Sequence, residues 1–166
     1  MVDLSRRSAA DQFGASDPVI TAPGLVVRVR DPAAQILVSG AGPELAPNQC
    51  FGSDPYWLWL APDRRLLIGD AARPAEPEGG FVSDVTDGLA VFEVRGDHVA
   101  DLIAMGCTLD ANGPELAPGR CAQTVFATVK VLLYAHQGRG CIRLHVERQF
   151  ARFLLDWIRQ AATAFA

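Results

Sequence analysis

The sequence predicts a small two-layer α+β domain: an antiparallel or mixed sheet with helices on one side, built from two related strand–helix–strand–strand units. Three observations carry that prediction. Phe150, Phe153, Leu154, Trp157, Ile158 and Ala161 recur at helical spacing, with Arg152, Asp156, Arg159 and Gln160 opposite, so the chain ends in an amphipathic helix that must lie on an apolar surface. Several short segments alternate apolar and polar residues, or run apolar throughout, as strands do. Part of the chain also repeats. LVVRVRDPAAQILVSG (25–40) sits over LAVFEVRGDHVADLIAMG (89–106), and PELAPNQC (43–50) over PELAPGRC (114–121), the latter pair differing only at Asn48/Gly119 and Gln49/Arg120. A repeat of this length is no solenoid, and two such units close most simply into one domain.

Taken in order, residues 1–23 are polar, rich in Ala and Ser, and broken by Asp17-Pro18 and Pro23-Gly24. They are expected to form a tail that orders only against a partner. One α+β domain is expected over 24–166, with halves 24–70 and 81–166 about a linker at 69–80. Leu25 to Arg30 alternates and reads as a half-buried strand. Asp31-Pro32 has the form of a helix start, an Asp cap followed by Pro where its missing N–H costs nothing, so Ile36 and Leu37 would face the core from a helix. Residues 43–50 read as a loop.

Tyr56 to Leu60 (YWLWL) is apolar on both faces. Either it is a central strand covered twice, or Trp57 and Trp59 face another protein, since aromatic residues are enriched in interface cores. Leu66 to Ile68 returns as a second strand, and 69–80 is a Pro/Gly/Ala/Glu linker. Leu89 to Arg95 alternates as a strand. Asp97 then caps a helix with Val99, Leu102 and Ile103 as its stripe and Gly106 as its C-terminal glycine. Residues 124–135 and 140–146 are expected to pair as one hairpin around 136–140.

Composition narrows the function classes. The length, 166 residues, suits one domain, and 49% hydrophobic content suits a globular one. With a net charge of −4 a positive face for phosphate backbones is not the default expectation, so nucleic acid is not an expected partner. The four cysteines form no CxxC, the amino terminus has no apolar run behind its arginines, and no stretch nears the ~20 apolar residues of a membrane span. A reducing cytoplasm and no membrane partner are expected.

No catalytic, cofactor-binding or metal-binding residue is expected on this chain. His136, Cys141 and His145 lie closest for a metal, but Arg143 would share their strand face and repel a cation, and the residues are expected to face solvent on the hairpin. Cys107 and Cys121 could meet across the loop at 105–124, with buried free thiols the expected state. Asp84 and Asp87 in DVTDG are expected to accept turn N–H bonds before Gly88. Arg120, if buried, needs a carboxylate such as Asp110 or Asp87, or a group on a neighbouring subunit. No GxGxxG frame follows a strand. The candidate partner-contact or structural residues are therefore Trp57, Trp59, Arg120, Gln123 and Asp87.

Five segments share a wording: WLWLAPDRRLLI (57–68), DVTDG (84–88), GCTLD (106–110), APGRCAQT (117–124) and FARFLLDWI (150–158). In that order they resemble the gamma subunit of heterotetrameric sarcosine oxidase, a branch of the folate-binding aminomethyltransferase-like fold. The resemblance implies a non-catalytic structural subunit of a complex that oxidatively demethylates sarcosine or a related N-methyl amine. It implies alpha, beta and delta subunits as partners, with FAD, FMN, NAD, tetrahydrofolate and zinc held by those subunits. A stand-alone tetrahydrofolate-binding aminomethyltransferase-like protein is the alternative. Arg64-Arg65 stands where Glu-Trp is usual, and the linker is abbreviated where relatives usually place a helix. DVTDG matches only loosely, so no folate-contacting acid is carried onto Asp87.

Overall fold

The computed structural model describes residues 8, 10–14, 17–136 and 140–165. Its strands are β1 (Ile20–Ala22), β2 (Leu25–Arg30), β3 (Ala34–Ser39), β4 (Cys50–Gly52), β5 (Tyr56–Ala61), β6 (Arg64–Gly69), β7 (Phe81–Asp84), β8 (Leu89–Arg95), β9 (Cys121–Phe126), β10 (Val129–Ala135) and β11 (Cys141–Glu147). Two helices, α1 (Val99–Gly106) and α2 (Ala151–Ala162), complete the α+β fold. The strands form two antiparallel sheets, one of six in the order β1-β2-β8-β11-β10-β9 and one of five in the order β4-β5-β6-β3-β7.

The helices lie on one side, as expected, but the layers number three. Val27, Phe92, Leu133 and Leu144 of the six-stranded sheet share a buried core with Leu102 and Ile103 of α1 and Leu154 and Ile158 of α2. Its other face meets the five-stranded sheet, where Tyr56, Leu58, Leu66 and Ile68 pack on Cys121, Leu132 and Tyr134. The outer face of the five-stranded sheet buries Ile36, Val38, Leu67 and Val82 without a helix. Loops cover it instead. Arg65 donates to the Pro43 carbonyl (2.6 Å), Arg73 donates to the Val82 carbonyl (2.6 Å), and Gly80 lies against Ser39 and Pro77. The linker at 69–80 is thus part of a roof.

Several expectations are corrected. Residues 34–39 form β3 and not a helix, because Ile36 and Val38 alternate outward while buried Gln35 works inward. Gln35 brackets β8: its amide donates to the Leu89 carbonyl (2.8 Å), and its oxygen accepts from the Leu89 N–H (3.2 Å). No helix follows Asp31, and its carboxylate accepts from the Ser8 hydroxyl. The helix therefore appears in the second unit alone. The expected tail at 1–23 also contributes to the domain: β1 joins the six-stranded sheet, and Phe13 packs edge-on against Phe92 at 5.3 Å. The expected single strand over 124–135 is two strands joined at Ala127 and Thr128, whose φ values of 47° and 74° make a tight reversal. Residues 137–139 of the expected hairpin turn lie outside the described residues.

Helix details shift as well. His98, not Asp97, stands at the N-cap of α1. Gly106 ends that helix without left-handed backbone; its missing side chain makes room for the Phe126 ring. On α2, Leu155 is buried, while Phe150 and Phe153 are exposed.

The two PELAP segments meet. Gln49 and Arg120 form an antiparallel bridge; the Cys50 N–H donates to the Gly119 carbonyl (3.0 Å) and the Cys121 N–H to the Asn48 carbonyl (2.9 Å). Asn48 and Gly119, one of the two differing pairs, both take left-handed backbone, φ 60° and 81°. That conformation suits Asn and Gly above other residues. Sheet order places β3, not β2, in the position β8 holds: β4-β5-β6-β3 parallels β9-β10-β11-β8. The upstream half of the sequence repeat is accordingly offset. Residues 25–30 pair with β8 across the halves, and β7 pairs with β3 in the same crossed way.

Candidate functional site

Four buried polar residues, Gln35, Glu93, Arg143 and His145, lie between the two sheets. Glu93 interrupts the apolar run of β8, and Arg143 sits directly across from it on β11. Both are buried, and the Arg143 Nε–H donates to Glu93 Oε2 at 3.1 Å. Arg95 donates to the other oxygen at 2.8 Å, and Arg30 stands 4.0 Å away. Burial pushes the Glu93 carboxyl up, but the hydrogen bonds and charges of Arg95 and Arg143 outweigh it and hold the group below its ordinary range. A buried charge of this kind persists only with such partners.

Arg143 is used from every side. Its guanidinium lies 5.1 Å from the Tyr56 ring centroid, donates to His136 Nε2 at 3.0 Å, and reaches the Ser53 carbonyl at 3.5 Å. His145, two residues on, is fully enclosed. Burial pushes it down to about 4, so it is neutral at physiological pH. Its Nδ1–H donates to the Leu132 carbonyl at 2.9 Å, which leaves Nε2 to accept the Tyr56 hydroxyl at 2.9 Å. Tyr56 stacks on Tyr134 at 4.7 Å, and the Tyr134 hydroxyl donates to the Gly52 carbonyl at 2.8 Å. Cys141, Arg143 and His145 are thus buried between sheets, a correction to the solvent-facing hairpin expected for them. Their polar groups bind strand to strand.

The space between the sheets opens at two mouths. One is a cleft of about 420 Å³ lined by Arg30, Asp31, Asp54, Tyr56, Asp70 and Arg143, polar on both walls. The other is a groove of about 710 Å³. Leu37, Leu60, Leu66, Val85, Leu89 and Leu132 make it apolar, and Gln123, Lys130 and Glu147 stand in its lining. Val125, 53% exposed, borders it. An apolar concavity with a few polar groups is the form binding sites take.

The predicted residues fall as follows. Trp57 is half-buried on the outer face of the five-stranded sheet, with Gly42 backed against its ring. Trp59 is half-buried beside the inter-sheet cluster. Gln123 donates to the Leu60 carbonyl at 2.8 Å and so ties β9 to β5. Arg120 is half-buried, and among the described residues neither Asp110 nor Asp87 forms an ion pair with it; its charge instead sits near the Cys50 and Cys121 thiols. Asp87 occupies left-handed backbone (φ 71°) in the turn, and the Asp84 carboxylate accepts the Thr86 N–H at 2.9 Å.

Cys107 packs on the helix-side core and Cys121 on the inter-sheet cluster, so these two do not meet. Cys121 neighbours Cys50 instead. Burial pushes Cys121 up to about 11, and burial together with Cys121 pushes Cys50 up to about 12, which keeps both as thiols. Sequence reasoning missed Glu93, Tyr56 and Gln35. The signal for Glu93 was a lone carboxylate inside LAVFEVR; its partner lies 50 residues away.

No protein-family model matches the chain, and no curated protein matches it. Among solved structures, a chain of heterotetrameric sarcosine oxidase from Corynebacterium sp. U-96, solved in complex with pyrrole 2-carboxylate, superposes with a TM-score of 0.78 at 22% identity. The match covers 96% of this chain and 96% of that one. A likeness of that extent establishes a shared fold. Among the described residues no helix is long and apolar enough to cross a membrane.

Proposed function

We propose that this chain is the non-catalytic, gamma-type subunit of a sarcosine oxidase-type complex that oxidatively demethylates sarcosine or a related N-methyl amine. The observation that carries the reading is likeness to one chain of such an assembly over 96% of each length. The state of the buried polar groups supports it. Glu93, Arg143, His145 and Tyr56 bond to one another and to backbone carbonyls, so the groups best suited to acid–base work hold two sheets together. The apolar groove and exposed Val125 are surfaces for partners, here the alpha, beta and delta subunits. FAD, FMN, NAD, tetrahydrofolate and zinc belong to those companions in this reading, and the site of action is the cytoplasm.

Co-expression tests it. A tagged copy produced with the flavoprotein subunits encoded beside it should elute with flavin absorbance in fixed ratio. A chain that stays monomeric and retains no flavoprotein would overturn the proposal, as would saturable micromolar binding of tetrahydrofolate to the isolated chain.

A further inference from the structure

The geometry points to strand addition: the free edge of β9, with the apolar groove beside it, receives an extended segment of another polypeptide. β9 is the last strand of the six-stranded sheet. Its bonded pairs with β10 follow from the Ala135 N–H donating to the Arg120 carbonyl. By register they are then Ala122 with Leu133, Thr124 with Val131 and Phe126 with Val129. Antiparallel alternation turns the amides of Cys121, Gln123 and Val125 the other way. The chain itself fills the first of these, because Asn48 accepts the Cys121 N–H where Gln49 bridges Arg120. Toward Gln123 the antiparallel companion runs back through Pro47 and Ala46, which leave the edge in a turn closed by the Gln49 N–H on the Ala46 carbonyl (3.0 Å). Among the described residues, the outward amides of Gln123 and Val125 have no backbone partner. A strand continuing the line that residues 48–50 begin finds two further positions open.

The side chains specify what that strand carries. Ala122 and Phe126 belong to the helix-side core and Cys121 to the inter-sheet cluster, so Gln123 and Val125 face the five-stranded sheet. The residue added opposite Gln123 points into the groove between Leu37, Leu60 and Leu66 and must be apolar; the one opposite exposed Val125 lies in the row of Lys130, and those alternating with these two face solvent. Natural edge strands are commonly blunted by Lys, Pro or a bulge, yet the residue here is an exposed valine. One charge adds a requirement. Val125, Lys130 and Glu147 lie in one cross-strand row. Glu147 already accepts from Gln149, and Lys130 forms no ion pair among the described residues. An added strand lies two strand spacings from Lys130, about 10 Å, within reach of a lysine side chain. The partner segment is therefore extended, apolar opposite Gln123, and carries its carboxylate opposite Val125.

This inference rests on the reading that the chain works in contact with other subunits, and the two are separable by experiment. The probe is a blocked heptapeptide of alternating valine and threonine with one glutamate, added to the full chain while backbone amide exchange is followed by NMR. At saturation, exchange at Gln123 and Val125 should slow about tenfold, with the amides bonded to β10 unchanged. Val125→Pro removes the outward N–H and leaves the β10 ladder intact, so it should abolish the protection. Should that variant fail to fold, Val125→Glu keeps the backbone, places a charge at the groove, and should abolish protection likewise. The inference is overturned by unslowed exchange at millimolar peptide, or by undiminished protection in a folded Val125→Pro or Val125→Glu variant. Slowing that grows with protein concentration alone also overturns it, since that assigns the edge to a second copy. Peptide protection without flavoprotein co-elution would remove the subunit reading and leave strand addition standing.

Discussion

The six-stranded sheet hides its outer face under α1 and α2, whereas the five-stranded sheet hides its own under the loops at 40–48 and 70–80. The helices offer whole side chains to the sheet, Leu154, Ile158, Leu102 and Ile103 among them, all fully buried. The loops offer carbonyls and glycines, and what fastens them is Arg65 and Arg73 donating to backbone oxygens. One face is held by apolar area and the other by a few directed bonds over a thin cover. Helix-roofed structure should therefore open only with global unfolding, and loop-roofed structure should open locally.

The largest expected effect tests the thick side. Phe92→Ala removes a ring with no exposed surface that packs on Phe13, and should cost ~3–5 kcal/mol in urea unfolding. A loss no greater than that of an exposed residue would mean the helical roof is not the main core.

Next comes the layer both sheets share. His145 is held near 4 in the folded chain against an ordinary value near 6.5, so the unfolded chain takes its proton first as pH falls. Stability is unaffected above about pH 6.5 and should drop by ~3 kcal/mol on the way down to pH 4. The Glu93 carboxyl, held below its ordinary range, stays charged through most of that window, and its contribution is lost only in stronger acid. His145→Gln should flatten the slope of unfolding free energy against pH between 6.5 and 4.5. An unchanged slope would place the titrating group elsewhere.

The thin side should respond less. Trp57→Ala removes a half-buried ring and should cost about 1–2 kcal/mol, well below Phe92→Ala despite the larger side chain. The smallest effect is Arg73→Ala, about 1 kcal/mol, through the lost bond to the Val82 carbonyl. Its signature is faster amide exchange in β7 and β3, with the six-stranded sheet untouched. Equal acceleration in both sheets would erase the contrast between the two roofs.

Local pattern made much of this legible. The α2 stripe, the strand at 89–95 and the returning strand at 66–68 each depend on residues within a few positions of one another, and each is found. Where local signals conflicted, the reading went astray. Asp31-Pro32 has the chemistry of a helix cap, but the Ile36–Val38 alternation won because β6 and β7 supply ladder bonds on both sides. The reversal at Ala127 and Thr128 has none of the Gly or Asn that a positive φ favours, so nothing in its sequence marked it. Of the candidate residues, Gln123 is polar in an apolar stretch, but its bond to Leu60 joins positions 63 apart.

By itself the sequence determined the element types wherever one period dominated, the amphipathic final helix, and the two PELAP segments as equivalents. It also determined the net charge of −4, because net charge is a property of composition. Only the tertiary structure decided that β2 and β7 cross to the opposite sheet, that the PELAP segments clasp each other, and that Glu93, Arg143, Tyr56 and His145 form one buried layer. Those facts depend on contacts between residues up to 89 positions apart, and the periodicity of one segment carries no information about which other segment will face it.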